Sequence, residues 1–353
     1  MRIALVANDF SACRVKIWRL ACQLFGYAAV DLYMLNPIQV QTGLEAPRCH
    51  RWTRNNLDQL ARDVKSHDVI HVFCDATEFA AKLLQLIPDR TMIVHRHDIS
   101  SLRGIDDLTE PWLMAHRNTH IVATSPDHIQ WLQRFCPDKT IHFIPNYPLR
   151  SEYSGDANIQ AKHPRIRGVM YYGGLVSDPG TTGTGYRFYL PQWSVLCRAG
   201  IDVHVYPKRA KLEELSRVYR LLPGCILHPP VAADEIINIL AHYELSFIGY
   251  NDHGVDPVKH DYAMSCWPNK AFDPIAASTP LLGYRAGSTA SLWHGVWGVE
   301  VERDQDLVEA YHAARQLTPD WAALRDSYTL DQFIPTLTTL YQSSADSFHR
   351  RPI

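Results

Sequence analysis

Residues 268–282 read Pro268-Asn269-Lys270-Ala271-Phe272-Asp273-Pro274-Ile275-Ala276-Ala277-Ser278-Thr279-Pro280-Leu281-Leu282. The pattern places a helix over 269–277, beginning at Pro268 and Asn269, and a strand over 279–284. A helix start offers free backbone N–H groups and the positive end of the helix dipole, so it favours an anion. Lys270 falls in that first turn, where a cation does nothing for helix stability, and it makes better sense as a partner for a diphosphate. Asp273 follows one turn later on the same helix face. The plain alternative is a surface Lys–Asp pair on an ordinary amphipathic helix.

Outward from this stretch the chain alternates short apolar runs with longer amphipathic ones. On the N-terminal side of it lie strands at 167–174, 202–207, 225–228 and 244–250, with helices at 190–199, 209–221 and 233–241 between them. After it come a strand at 296–301 and a helical end over 304–346, interrupted by Pro319 and Pro335. The first half has the same rhythm, with strands at 2–7, 30–35, 68–73, 90–95, 120–125 and 140–145. Strand and helix repeated this often indicate parallel sheets with helices on both faces, an α/β chain of two doubly wound, Rossmann-like halves. The rhythm stops at 146–165, which is rich in Pro, Ser, Gly, Asn and Asp, and its part 151–165 is taken as a linker. The expected organisation is a first domain over 1–150, the linker, a second domain over 166–330 and a C-terminal helical tail over 331–353. Two such domains are expected to face a central cleft at the carboxyl ends of their strands.

Composition bounds the partners. The chain has 353 residues, 46% hydrophobic, with 35 Lys and Arg against 37 Asp and Glu. The two parts, 1–150 and 151–353, carry +2 and −4, so neither is polarised enough to name a partner. Disorder is excluded, and a dedicated nucleic-acid binder with a strongly basic face is disfavoured. The eight cysteines form no Cys-x-x-Cys pair and read as reduced thiols of a cytoplasmic protein. No stretch approaches the ~20 apolar residues of a membrane helix, which leaves peripheral membrane contact open.

The segment 268–282 resembles the motif Pro-x-Lys-x-Phe-Glu-Tyr-Leu-Ala-x-Gly-x-Pro-Val of nucleotide-sugar-dependent glycosyltransferases of the GT-B fold, in register and without a gap. THIVATSPDHIQWL (119–132) before the Ile-Pro-Asn turn (144–146), and VMYYGGL (169–175), are similar to the same family. The resemblance implies that Lys270 and Asn269 meet the donor diphosphate and that Asp273, shorter than the usual Glu, accepts from the ribose hydroxyls. It also implies that a histidine at the strand end facing the donor sugar is here His97. Two positions depart from the family. Ser265 stands where many retaining members carry a glutamate against the donor sugar, and Gly174 stands where a diphosphate-binding arginine is usual. These departures put the donor sugar and the stereochemical outcome in doubt.

Other residues fill out the expected site. Gly173 and Gly174 open a glycine-rich stretch (177–187) whose backbone N–H groups can approach phosphate oxygens. The missing cation is expected from Arg187, Lys208 or Arg209, each of which is otherwise a surface charge. A polar stretch holding Asp252, His253, Asp256, Lys259, His260, Asp261 and Tyr262 reads as a loop, with Tyr262 a donor contact. In the first half, His97 and Asp98 at the end of the strand 90–95 are the candidate catalytic pair, with Asp98 the base for an inverting reaction. The alternative is that both merely cap the turn that follows. Asn8, Asp9 and Arg14 are expected to meet the acceptor, and Ser125 to cap the helix after it. No metal site is expected, because no Cys/His cluster or isolated Asp-x-Asp stands at a strand end.

The resemblance implies a metal-independent hexosyltransferase using a nucleoside-diphosphate sugar, first of all a UDP-sugar, as co-substrate. Its acceptor is expected to be an envelope polysaccharide or a lipid-linked glycan. A phage-type enzyme acting on a hydroxylated DNA base, a non-catalytic sugar-nucleotide-binding protein and a sugar-nucleotide epimerase remain the alternatives.

Overall fold

The computed structural model describes residues 1–8, 12–35, 48–74, 77–153, 165–181, 184–207, 212–232 and 235–349. The chain divides into two compact units, one of Met1–Asn146 with Leu330–Ile353 and one of Tyr147–Thr329. Of the expected linker, 154–164 lies outside the described residues.

The first unit contains strands β1 (Ile3–Ala7), β2 (Val30–Met34), β3 (Arg48–Arg51), β4 (Val69–Cys74), β5 (Met92–Arg96), β6 (Thr119–Ala123) and β7 (Ile141–Phe143). They form a parallel sheet in the order β3-β2-β1-β4-β5-β6-β7. β1, β2, β4 and β5 are buried along their whole length; β1 is accordingly an unbroken apolar run, while β2, β4 and β5 are mainly apolar and bury Asp31, His71, His95 and Arg96. Between the strands run α1 (Ala12–Phe25), α2 (Leu57–Lys65), α3 (Thr77–Leu86), α4 (Thr109–Ala115) and α5 (Pro126–Leu132). α2 shows the helical logic plainly: Leu60, Ala61 and Val64 are buried while Asp58, Arg62 and Lys65 stay outside. Ser125 caps α5 as expected, its hydroxyl accepting from the His128 N–H at 3.1 Å, with Pro126 in the first turn.

The second unit contains β8 (Ile166–Gly173), β9 (Val203–Pro207), β10 (Cys225–Leu227), β11 (Tyr243–Gly249), β12 (Leu281–Tyr284) and β13 (Gly298–Val301). Their order is β10-β9-β8-β11-β12-β13, again all parallel. Its helices are α6 (Leu190–Arg198), α7 (Leu212–Tyr219), α8 (Ile236–Leu240), α9 (Pro257–Ser265), α10 (Asn269–Ala277), α11 (Ala290–Trp293), α12 (Leu307–Arg315) and α13 (Trp321–Ser327). The segment expected as a tail is helical as α14 (Ile334–His349), belongs to the first unit and packs on β4 and β5. In each unit the strand order reverses beside the first strand, between β1 and β4 and between β8 and β11. Such a switch point opens a crevice at the carboxyl ends of the strands, where ligands of this architecture bind.

Two elements differ from expectation. β3 was not foreseen: all four of its residues are exposed, so no apolar pattern marks it, and it is held by backbone pairing to β2. The polar stretch expected as a loop is in part the helix α9. The Asp256 carboxylate caps it by accepting from the Val258 N–H at 2.9 Å, and Pro257 sits in its first turn.

Candidate active site

β8 brings two tyrosines to the switch point of the second unit, one on each face. Tyr171 is fully buried, packs edge-on against Tyr189 and Trp193, and lies tilted to Phe247. Burial pushes its phenol far up, so the hydroxyl keeps its proton. That hydroxyl donates to the Gly174 carbonyl and accepts from Lys270 Nζ at 2.8 Å. The same ammonium lies 4.0 Å from the Tyr171 ring centroid, so one tyrosine holds the lysine by a hydrogen bond and by its π-face. The α10 helix therefore delivers Lys270 to the end of β8.

The two glycines there leave room for cationic side chains, and Gly173 also has a backbone conformation that favours glycine. Gly173 has φ +102°, and a Cβ on it would lie 3.3 Å from Lys270 Cε. A Cβ on Gly174 would lie 2.5 Å from Arg187 Nη1. Arg187, half-buried at the end of the turn Gly185–Arg187, thus lays its guanidinium against the position where the family carries an arginine side chain of its own. Lys270 and Arg187 flank Gly173 and Gly174 from two directions. Of the other expected cations, Lys208 and Arg209 lie outside the described residues.

On the opposite face of β8, Tyr172 donates from its hydroxyl to Asp273 Oδ2 at 2.9 Å. The phenol is pushed well up by burial and by the carboxylate beside it, so it remains a donor. Asp273 is only 4% exposed, with one oxygen fixed by the tyrosine. Asn269 places its Oδ1 in a buried position with no hydrogen-bond partner among the described residues. Tyr262, by contrast, is buried in α9, and its carbonyl accepts from Ser265 Oγ at 2.8 Å.

In the first unit His97 and Asp98 follow β5 and are both half-buried. Asp98 pairs with Arg103 at 3.6 Å. The turn after them is tied down by another residue, Glu110 of α4. Its fully buried carboxylate accepts from the Ser100 and Ser101 N–H groups at 3.1 and 2.9 Å and from the Arg96 guanidinium. Sequence reading missed Glu110, and included Arg96 only as part of the strand end 94–98 without giving it a role. The His97 ring stacks on His95, centroids 4.4 Å apart and planes within 13°. Asn8 is half-buried at the end of β1, and Asp9 lies outside the described residues. Arg14 is 4% exposed and close enough to His95 to depress that imidazole's pKa, burial being the larger cause. Among the described residues no group of three or more His, Cys, Asp or Glu is arranged to hold a metal ion, and no helix is long and apolar enough to cross a membrane.

Two doubly wound parallel sheets, each reversing its strand order beside its first strand, define the GT-B fold, and this chain has it. No protein-family model matches the sequence, and no curated protein matches it. Solved structures do match. The Anabaena HepE structure in complex with UDP-glucose is 13% identical, with 97% of this chain and 100% of that one covered at a TM-score of 0.70. The sucrose-phosphate synthase from Thermosynechococcus elongatus is 12% identical, with 97% and 99% covered and a TM-score of 0.65. An alpha-glucosyltransferase in complex with UDP and a 13-mer DNA containing a HMU base is 13% identical, with 99% and 100% covered and a TM-score of 0.58. At such identities the likeness is one of fold.

Proposed function

We propose that the chain is a glycosyltransferase that moves a sugar from a nucleoside-diphosphate sugar, first of all a UDP-sugar, to an acceptor hydroxyl. The observation that carries this reading is the pair of cations, Lys270 and Arg187, held against the two glycines at the end of β8. Departure of a sugar leaves negative charge on the diphosphate, and fixed cations with helix N–H groups stabilise that charge as it forms. Lys270, Arg187 and the first turn of α10 do this in the proposed mechanism, and no metal is required. Asn269 adds a polar contact at the same turn, and Asp273, steadied by Tyr172, accepts from the ribose. His97 and Asp98 serve the reacting centre, with Asp98 the base if the reaction inverts. Asn8, Asp9 and Arg14 are assigned to the acceptor, and Lys208 and Arg209 to further donor contacts.

Fold likeness to HepE in complex with UDP-glucose supports the choice of UDP. The acceptor is read as a glycan, free or lipid-linked. A DNA acceptor is the second reading, favoured by likeness to the glucosyltransferase in complex with UDP and DNA. Incubation with UDP- and GDP-sugars, with and without chelator, tests the donor and the metal; salt-sensitive binding of duplex DNA separates the acceptors. Transfer by a folded Lys270→Ala protein at the wild-type rate would overturn the assignment of the diphosphate site.

A further inference from the structure

We propose that His71, His95 and Tyr341 form a positioning column that fixes the ring of His97; this rests on the reading that His97 serves the reacting centre. Side chains alternate along a strand, so His71 and Phe73 of β4 share a sheet face with His95 of β5, and His97 continues the same row. The three imidazoles lie nearly parallel. His71 and His95 have centroids 5.4 Å apart and planes within 12°, and His95 and His97 continue the stack. Phe73 lies alongside all three, 4.6, 5.3 and 5.9 Å from their centroids. Within the column His71 Nε2 meets His95 Nδ1 at 3.2 Å, and His71 Nδ1 meets the Tyr341 hydroxyl at 2.9 Å.

Packing alone does not call for these residues. His71 and His95 are 0% and 1% exposed, positions an aliphatic side chain fills without polar atoms to satisfy. His95 Nε2 is buried with no hydrogen-bond partner among the described residues. What the imidazoles supply is orientation. The outer torsion of a histidine is broad and roughly two-fold, so backbone and rotamer preference leave the ring plane loosely set. Hydrogen bonds from Tyr341 through His71 fix the plane of His95, and the stack passes that plane to His97. The second unit is not involved, so donor binding at Lys270 is untouched.

The column does this without carrying charge. Burial pushes His71 down to about 3 and His95 well below the ordinary imidazole range, and electrostatic repulsion from neighbouring histidines, with Arg14 in the case of His95, pushes in the same direction. Among the described residues, the charged and titratable groups around the column and His97 include Arg14 and Cys22 of α1, Arg96 of β5, Asp98, and His128 of α5. Burial thus favours the neutral form of both inner rings.

Kinetics of His95→Leu, His95→Phe, Tyr341→Phe and His97→Ala, alone and combined, test the proposal. His95→Leu removes the stacked ring and is expected to lower kcat tenfold or more with the donor KM within twofold. His95→Phe keeps the ring and Tyr341→Phe keeps the packing, and each loses a few-fold. Adding His95→Leu to His97→Ala is expected to cost nothing further, because the column acts only through His97. Additive losses, or an unchanged kcat in folded His95→Leu, overturn the proposal. ¹⁵N-imidazole spectra of the full chain separate its failure from that of the underlying reading. A single His97 tautomer that becomes a mixture in His95→Leu supports positioning, and an unaltered His97 spectrum overturns it. If His97→Ala proves fully active while that spectrum changes, only the catalytic reading of His97 falls.

Discussion

Inside the first unit, ionisable groups are embedded in the sheet: His71 and His95 under Tyr341, and Arg96 paired with Glu110, all at 1% exposure or less. The second unit lines the corresponding interior beside β8 with Tyr171, Tyr189, Trp193 and Phe247, and leaves its cations Lys270 and Arg187 half-buried at the strand end. One strand order thus supports two electrostatic arrangements. A buried imidazole makes folding sensitive to pH, because its charged form is excluded from the native state. A half-buried cation on an aromatic floor costs folding little and is available to a ligand's charge. The first unit is expected to answer to acid and the second to anions.

The largest effect is expected at Lys270. Lys270→Ala should lower transfer by about 100-fold or more, in line with loss of one charge-stabilising group, and abolish the UDP-induced rise in melting temperature while leaving circular dichroism unchanged. Next comes the Arg187 contact. Arg187→Ala and Gly174→Ala should each weaken donor use about tenfold, and the double variant no more than either alone, since the added methyl displaces the same guanidinium. Additivity in that cycle would separate the glycine from the arginine.

The acid response tests the other side of the comparison. His71 and His95 have native pKa values below their unfolded ones, so their stabilising contribution is complete above pH 6.5 and is lost as pH falls below it. Each contributes a slope that rises towards about 1.4 kcal/mol per pH unit as pH falls about a unit below 6.5. Chemical denaturation from pH 7 to 5 should show this slope, and His71→Phe should flatten it; an unchanged slope would remove His71 from the account. The smallest effect is expected at Ser278, which ends α10 with φ +51° and stands at the glycine of the motif. Ser278→Gly relieves about 1 kcal/mol of backbone strain. It also forfeits the 2.6 Å hydrogen bond from Arg325 Nη2 to Ser278 Oγ, worth about as much. The melting temperature should move by no more than about 2 °C.

Much of this was legible in the sequence. α10 spans Asn269–Ala277, the residues its Pro-Asn start indicated, and fully buried strands such as β1 announce themselves as apolar runs. What escaped lies where local pattern carries no information. β3 has no buried side to mark it, and the Asp-Pro start of α9 was masked by the charged residues around it. The meeting of Arg187 with Gly174 depends on how a whole loop closes, so sequence reading offered Arg187 only as one of three cations. The histidine column joins positions 270 residues apart in its Tyr341–His71 bond. The one signal that could have pointed to it was the placing of His71 in β4 and of His95 and His97 two apart at the end of β5, in otherwise largely apolar runs.

The ends of α10 are charged alike. At its carboxyl end Arg325 of α13 donates to the Ile275 and Ala276 carbonyls at 3.3 and 3.2 Å, complementing the helix dipole. At its amino end Lys270 opposes that dipole. Without an anion, then, the helix is compensated at one terminus and frustrated at the other, and a diphosphate relieves that frustration as well as binding to it. Amide exchange over 269–272 should accordingly slow on addition of UDP while exchange at the arginine-capped end stays as it was, so that part of the donor's affinity is spent in ordering a single helical turn.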